Sequence, residues 1–514
     1  MAARAVWRPP WQAWTLLGLA ALALTPKLAP GRLHGSGLVL TPLLILAGIL
    51  LLRKLWELNP AVNACAAIVL TIFSGAWFQL GLRGFPLDRM MLLLVVLQML
   101  LRAPGIVHTP RIQIRDVHLV MGLTIVYVLA SGVAAKTLSS EGGFLTLIDT
   151  LGLAPYLMFL MTPAIFAGQR ERNMLLVTLV GLGAYLGLTA IFESLGPHSL
   201  VFPHYIAQVD TELPNERAGG PFQSSSAEGF ATYACAVAAA IAFIQWRGQR
   251  KRFLAAAVAA VCLCGCFVTL ERGVWLAAVV ATVVTALATR AGRRLLVPAT
   301  LVCALVLGTA LTVSSDLSNK TSNRVNDQTS VWSRENQTSA GLRMLAAKPL
   351  FGFGLARWKT DSLPYFRQSK SYPQNGYMLA EGAGSVSPPL PLHDTYLAFA
   401  VELGAIGLLL WLATLALGVG GAIVGRGPRE LRLWKLGLLA VATFYVVVAI
   451  IDPHEQSFSP LLLWSWAGLA VGSASLSTQL ARARARSGKP RVELRSAIAP
   501  RSGTPGVALG EWGP

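Results

Sequence analysis

Apolar runs separated by short polar stretches dominate the chain. A membrane-spanning helix needs about 20 mainly apolar residues, so each run predicts one span. The pattern predicts an all-α, polytopic helical integral membrane protein with about 14 spans, or about 12 if the weakest early runs do not cross. The predicted spans are residues 11–26, 37–52, 61–82, 86–101, 117–135, 151–168, 173–192, 229–246, 253–270, 273–289, 295–315, 395–420, 433–451 and 458–477.

The span pattern divides the chain into six segments. We expect membrane spans 1–7 in residues 1–192, spans 8–11 in residues 229–315 and spans 12–14 in residues 395–477. Two long extracytoplasmic loops, residues 193–228 and 316–394, separate these groups, and the second immediately precedes span 12. Residues 478–514 are predicted to be a basic, disordered cytoplasmic tail.

Basic residues mark one side of the membrane. Lysine and arginine accumulate on short cytoplasmic loops, and the stretch after every even-numbered span is basic, which predicts cytoplasmic termini and an extracytoplasmic face for the long loops. The residues that carry this signal are Arg53, Lys54, Arg102, Arg111, Arg115, Arg170, Arg172, Arg247, Arg250, Lys251, Arg252, Arg290, Arg293, Arg294, Arg426, Arg429, Arg432 and Lys435.

Composition agrees with a membrane protein and narrows its partners. Of the 514 residues, 54% are hydrophobic and only 13% are charged, whereas soluble domains carry about 25% charged residues. The net charge of +19 is dispersed among the loops, so we expect no nucleic-acid partner. All six cysteines lie inside apolar runs without a CxxC pair, which predicts neither disulfides nor a metal site.

Two arginines on the extracytoplasmic side are candidates for binding an anion. Arg217 precedes a Gly219-Gly220-Pro221 turn, where a phosphate can lie against a guanidinium and a helix N-terminus. The alternative for Arg217 is an ion pair with Glu212 or Glu216. Arg272 stands where two apolar runs meet almost without a loop. Charged residues at membrane depth are costly and usually functional.

The alternative for Arg272 is an anchor at the membrane surface, or a pair with Glu271.

His393 lies at the junction of the second long loop and span 12. A histidine there can accept a proton near neutral pH. Its alternative is a structural helix start, with Asp394 or Thr395 as the N-cap.

Four segments together resemble the superfamily of O-antigen ligases and O-antigen polymerases. Residues 217–222 (RAGGPF) resemble its Arg-x-x-Gly-x-Phe turn, and residues 269–276 (TLERGVWL) its Ser-Arg-Gly-x-Trp helix start. Residues 348–354 (KPLFGFG) resemble its Pro-Leu-x-Gly-x-Gly stretch. Residues 391–408 resemble its His-Asn-x-x-Leu segment, with Asp394 in place of the asparagine, followed by Glu-x-Gly-x-x-Gly.

The resemblance implies a membrane glycosyltransferase that needs no metal, cofactor or nucleotide sugar. Such enzymes pass a glycan from undecaprenyl diphosphate to an acceptor sugar hydroxyl on the periplasmic face of the bacterial inner membrane. The acceptor is the lipid A core for ligases and the next lipid-linked repeat unit for polymerases. Candidate protein partners are a flippase and a chain-length regulator, and the product is surface polysaccharide or lipopolysaccharide.

The resemblance also suggests roles for six residues. His393 is expected to be the general base, and Arg217 and Arg272 are expected to bind the diphosphate. Arg334 matches an arginine that precedes the Pro-Leu stretch, and Asp394 or Glu402 is expected to orient His393. These supporting roles complete the candidate site.

Two further functions remain open on the sequence. A polymerase would share the architecture and the arginines of a ligase, and we favour the ligase only slightly. A flippase for lipid-linked glycans also has many spans, but it should carry charges along a central cavity and have short loops on both faces. The nearly charge-free runs and the long loop before span 12 favour an enzyme over a transporter; a non-catalytic membrane scaffold is a third alternative.

Overall fold

A computed structural model describes residues 50–74, 86–101, 116–208, 217–294, 315–326, 329–366, 392–425, 429–451 and 456–471, with isolated positions between some of these ranges. The described residues form helices and turns and include no β-strand, which confirms the all-α class. The main helices, named α1 to α13 in chain order, are Pro60–Thr71, Leu87–Leu101, Asp116–Ala134, Leu153–Ile165, Gln169–Leu195, Ser225–Gln245, Gln249–Val268, Arg272–Leu287, Ser315–Asn326, Thr329–Ala347, Thr395–Leu415, Arg432–Ala449 and Phe458–Val471.

Short helical segments connect several of these helices. The α-helical ones are Glu141–Leu145, Tyr205–Gln208, Trp358–Asp361 and Gly421–Val424. Two π-helical turns, Thr146–Thr150 and Ala416–Gly420, continue into neighbouring α-helices, and the 3₁₀ turns are His198–Leu200, Gly220–Phe222, Leu363–Tyr365 and Arg429–Leu431.

Seven helices of the described part are long and apolar enough to cross a membrane, and each overlaps a predicted span. They are Asp116–Ala134, Gly142–Ile165, Gln169–Leu195, Ser225–Gln245, Gln249–Val268, Thr395–Val424 and Arg432–Ala449. Three more apolar helices, α1, α8 and α13, are shorter. Predicted span 11–26 lies outside the described residues, as do nearly all of 37–52 and most of 295–315. The full count of about 14 spans therefore stays a prediction.

The segment expected to be a long loop, residues 316–394, contains helical structure where it is described. Helix α9 and helix α10 occupy its first part, and α10 packs against α11. Both helices are polar, so the hydropathy pattern that predicts spans gave no signal for them. As shown below, α10 carries two side chains of the candidate site.

Helix α6 lies at the centre of the bundle, packed against α5, α7 and α12. Its sequence is rich in alanine, and most of its residues are buried. The neighbouring helices α5 and α7 approach closely where Gly187 meets Gly265, because a Cβ on Gly265 would lie 2.9 Å from the Cα of Gly187. Small residues at such crossings are typical of membrane helix packing.

Helix α11 is interrupted at Gly404, whose φ of 69° and ψ of −176° are not helical. The break frees backbone groups that bind the preceding Pro-Leu-x-Gly-x-Gly stretch. The N–H of Ala405 donates to the carbonyl of Pro349 at 2.8 Å, and the N–H of Gly354 donates to the carbonyl of Glu402 at 2.8 Å. These bonds fasten residues 349–354 to the helix that begins just after His393.

Gly404→Ala is expected to destabilise the protein. A Cβ there would lie 2.1 Å from the carbonyl oxygen of Leu350, and this glycine-favoured backbone conformation costs another residue about 1–3 kcal/mol by itself. The control is Gly421→Ala, where a Cβ meets nothing within 4 Å. Thermal unfolding in detergent should show a lower midpoint for Gly404→Ala only. Equal midpoints for the two variants would contradict the account of this break.

Candidate active site

Two positive charges converge on Glu271, in the short link between α7 and α8. Its Oε2 accepts from Nη1 of Arg217 at 3.0 Å, and its Oε1 accepts from Nη2 of Arg334 at 2.9 Å. The carboxylate is only 5% exposed, and the two arginine side chains are 11% and 23% exposed. One buried carboxylate thus joins the turn before α6, the α7–α8 link and helix α10.

The shape of the α7–α8 link keeps Glu271 in this position. Leu270 has a φ of 49°. Residues other than glycine adopt this left-handed backbone conformation at a cost, and it is often found at functional sites. Trp275, one turn into α8, stacks on Phe267 with ring centroids 5.1 Å apart, and its Nε1 donates to the Phe267 carbonyl at 2.9 Å. Glu271 occupies the N-cap position of α8 without capping it, so its side chain is available to the arginines.

Arg272 is the first residue of α8 and points toward the end of α9. Its Nη1 lies 3.5 Å from the carbonyl oxygen of Val325. The last carbonyls of a helix carry partial negative charge, so this position suits a guanidinium. Arg272 therefore lies beside Glu271 in the chain. Together with Arg217 and Arg334 it forms an arginine cluster, which Arg272 extends toward α9.

The predicted alternative partners of Arg217, Glu212 and Glu216, lie outside the described residues. Its partner in the structure, Glu271, is 54 residues further along the chain. Because the two residues are so far apart in the sequence, local spacing does not predict this pair.

The glycine turn after Arg217 holds a carboxylate of the protein itself. The N–H groups of Gly219 and Gly220 donate to the two oxygens of Glu193 at 3.0 and 2.9 Å. We expected a phosphate against this turn, but Glu193, near the end of α5, occupies its N–H groups. The turn thus fixes the backbone at Arg217, and the guanidinium is the part of this segment left to act on an anion.

A second buried acid, Glu228, lies against the other side of that turn. It is fully buried, and neither carboxyl oxygen has a hydrogen-bond partner among the described residues. A Cβ on Gly220, whose φ is 55°, would meet its Oε2 at 2.1 Å. Only glycine fits between the two acids in this backbone conformation.

His393 is held by Gln337, a residue that the sequence did not suggest. The Nδ1 of His393 lies 2.9 Å from Oε1 of Gln337, and the backbone N–H of His393 donates to the same oxygen at 3.2 Å. Gln337 is on α10, three residues after Arg334, and residues three apart share one face of a helix. That spacing was the available signal, but this segment was expected to be a loop.

Asp394, which was expected to orient His393, caps helix α11 in the structure. Its Oδ1 accepts from the N–H groups of Tyr396 and Leu397 at 2.9 and 3.1 Å, so Asp394, and not Thr395, is the N-cap of α11. Burial raises the pKa of this carboxyl above its usual range, while the two N–H bonds oppose the shift. The cap fixes where α11 begins, and so where His393 lies.

Glu402, also expected to orient His393, binds backbone N–H groups. Its Oε2 accepts from the N–H of Ala356 at 2.9 Å, and its Oε1 accepts from the N–H of Trp358 at 3.2 Å. Glu402 therefore fastens the segment after the Gly352–Gly354 turns to α11. These bonds give the carboxylate a structural task nine residues along the chain from His393.

The described residues contain no group of three or more histidine, cysteine, aspartate or glutamate side chains placed to hold a metal ion. The site consists instead of guanidinium groups, carboxylates, one carboxamide and one imidazole. Such a set can bind a polyanion and move a proton.

Residues 255–412 match the family model described as O-antigen ligase. This part of the chain is similar to an O-antigen ligase domain. The match includes Glu271, Arg272, Arg334, Gln337 and His393, and it begins after Arg217. It confirms the predicted resemblance to the O-antigen ligase and polymerase superfamily, whose members are glycosyltransferase-type enzymes. No curated protein matches the chain.

Loss of the Glu271 charge is expected to destabilise the protein. In Glu271→Gln, two largely buried guanidinium groups lose their anion, and breaking a buried ion pair costs up to about 3–5 kcal/mol. The control is Glu430→Gln, because Glu430 pairs with Arg172 at 3.3 Å but is 74% exposed. That pair is expected to contribute less than about 1 kcal/mol.

The measurement is the midpoint of thermal unfolding of each purified variant in detergent. A much lower midpoint for Glu271→Gln than for Glu430→Gln supports the central place of Glu271. Equal midpoints would show that the two arginines do not depend on this carboxylate.

Proposed function

We propose that the protein is a ligase-type membrane glycosyltransferase of surface polysaccharide or lipopolysaccharide synthesis. Its donor is a glycan on undecaprenyl diphosphate, and its acceptor is a sugar hydroxyl on the periplasmic face of the bacterial inner membrane. One observation carries the proposal. Helix α10 contributes Arg334, which binds Glu271, and Gln337, which contacts His393 one turn later.

The charge of the cluster suits a diphosphate. Arg217, Arg272 and Arg334 outnumber Glu271, so the four side chains together carry a net charge of +2. A diphosphate that links a lipid to a glycan carries two negative charges. Guanidinium groups bind phosphate oxygens in a bidentate manner, and burial strengthens that attraction relative to water.

In the proposed reaction, His393 accepts the proton of the acceptor hydroxyl as its oxygen attacks the anomeric carbon of the donor glycan. The bond between that carbon and the diphosphate oxygen breaks, and undecaprenyl diphosphate leaves with the bonding electron pair. The arginines stabilise the charge that develops on the leaving group. A single displacement of this kind inverts the anomeric configuration and needs no metal.

The position of the residues along the helices supports a site at the membrane surface. Arg217 precedes α6, Glu271 lies between α7 and α8, and His393 precedes α11. With the predicted orientation, these helix ends face the periplasm. A lipid-linked donor can then leave its chain among the helices and present its diphosphate at the surface, without crossing the membrane.

His393→Ala is expected to lower glycan transfer by about 10²–10⁴-fold, the usual contribution of a general base. The experiment uses a deletion strain that produces the wild type, His393→Ala or, as a control, His204→Ala, in which an exposed histidine is replaced. Membrane abundance is matched, and lipopolysaccharide and lipid-linked glycan are separated on gels. Full transfer by His393→Ala would rule out this base.

The same gels separate the alternative functions. Loss of glycan from the lipid A core, with lipid-linked polymer accumulating, indicates a ligase. Single repeat units without a ladder indicate a polymerase, which would use the same donor and the same arginines. A defect on deletion that His393→Ala repairs completely would favour the flippase.

Arg217→Ala is expected to lower transfer by about 10²–10³-fold, as loss of one donor to a developing charge does. Arg217→Lys keeps the charge but loses the planar fork, so its activity should lie between those of Arg217→Ala and the wild type. Arg343→Ala is the control, because Arg343 donates to the carbonyl of Tyr365 at 2.8 Å, away from Glu271. Initial rates in purified membranes give the comparison, and equal rates for all three variants would contradict the diphosphate role.

A further inference from the structure

The carboxamide of Gln337 meets His393 at two points. Its Oε1 lies 3.2 Å from the backbone nitrogen of His393 and 2.9 Å from the ring Nδ1. Gln337 itself is only 2% exposed. A buried side chain with two contacts to one residue is well placed to control that residue.

The backbone N–H fixes which way the carboxamide faces. A backbone N–H can only donate, so the amide atom opposite it must be the acceptor, Oε1. With the amide reversed, its NH₂ group would meet the N–H of His393, donor against donor. In this orientation the NH₂ group has no hydrogen-bond partner among the described residues.

The fixed oxygen in turn determines the protonation of the imidazole. Oε1 can only accept, so the ring nitrogen 2.9 Å away, Nδ1, must carry a hydrogen. A neutral imidazole has one N–H, so its lone pair is then on Nε2. We propose that Gln337 is the positioning residue that keeps His393 in the Nδ1–H tautomer, with Nε2 as the basic nitrogen.

This inference rests on the proposed function only for the use of that base: Nε2 is the atom that would accept the proton of the acceptor hydroxyl. A histidine in the other tautomer would present an N–H to the hydroxyl and could not accept its proton. Gln337 therefore acts through His393 and does not itself touch the reacting atoms.

Charged groups near His393 belong to the two elements that meet there. Arg334 lies one turn before Gln337 on α10, and Asp394 follows His393 as the cap of α11. Glu335 lies between Arg334 and Gln337, Arg343 lies further along α10, and Lys348 follows directly after its end. These groups remain in every variant below, so differences in the behaviour of His393 report the substitution.

The test measures His393 directly with diethyl pyrocarbonate, which reacts with an unprotonated imidazole nitrogen. The whole protein in detergent is labelled between pH 5 and 9, and peptide mass spectrometry gives the rate at His393. The pH midpoint of that rate is the readout. Gln337→Glu keeps the shape and the acceptors and adds a negative charge, which stabilises the imidazolium.

We expect Gln337→Glu to raise the midpoint by about one pH unit or more, as a neighbouring opposite charge does. Asn336→Asp, one residue away on α10, is the charge-matched control and should shift it much less. Gln337→Met removes the acceptor and should lower the midpoint. A midpoint in Gln337→Glu no higher than in Asn336→Asp would overturn the inference.

Transfer assays separate this inference from the proposed function. Gln337→Met is expected to lower kcat about tenfold or more with little change in KM, because the loss of one hydrogen bond and of the fixed tautomer affects the base and not the binding of the donor. Wild-type kcat in Gln337→Met, with His393→Ala inactive, would overturn the positioning role and leave the proposed function standing. Full activity in His393→Ala would overturn the proposed base, while the labelling midpoints still decide whether Gln337 controls His393. If Gln337→Met fails to accumulate, the labelling midpoint of the isosteric Gln337→Glu decides whether Gln337 controls His393.

Discussion

The buried carboxylate of Glu271 is the contact on which the candidate site depends. It binds Arg217 and Arg334 from segments 54 and 63 residues away in the chain. Neither arginine is highly exposed, so each would be costly to bury without an anion. Because the α7–α8 link is so short and is clamped by Trp275, Glu271 is fixed by the membrane helices themselves. The turn before α6 and the polar helix α10 are both positioned against this fixed point.

Helix α10 relates the position of the arginines to that of His393. An α-helix is rigid over one turn, and side chains three residues apart are about 5–6 Å from each other. Arg334 on Glu271 therefore sets the position of Gln337, and Gln337 sets His393. Asp394 and Glu402 support the same end of α11 by binding backbone N–H groups. Both residues, which were expected to orient His393, thus fix the backbone around it.

The membrane helices could be predicted from the sequence because a span is a local property: a run of apolar residues of sufficient length. Arg217, Arg272 and His393 could also be singled out, since charged or titratable groups at helix ends stand out against apolar surroundings. The partners could not be predicted. Glu271 pairs with distant arginines through tertiary packing, and Gln337 is an ordinary polar residue in a segment without hydrophobic periodicity. Without a local signal for Gln337, the sequence suggested only Asp394 or Glu402 as the residue that orients His393.

The choice of a neutral partner for His393 follows from its neighbours. In many sites a carboxylate orients the catalytic histidine, because its charge stabilises the imidazolium. Here the orienting residue is one turn from Arg334, and a carboxylate at that position would add a second negative charge near a guanidinium that Glu271 already pairs. It would also reduce the excess positive charge that suits a diphosphate. A carboxamide avoids both effects: it fixes the tautomer through hydrogen bonds and leaves the charges of the arginine cluster unchanged.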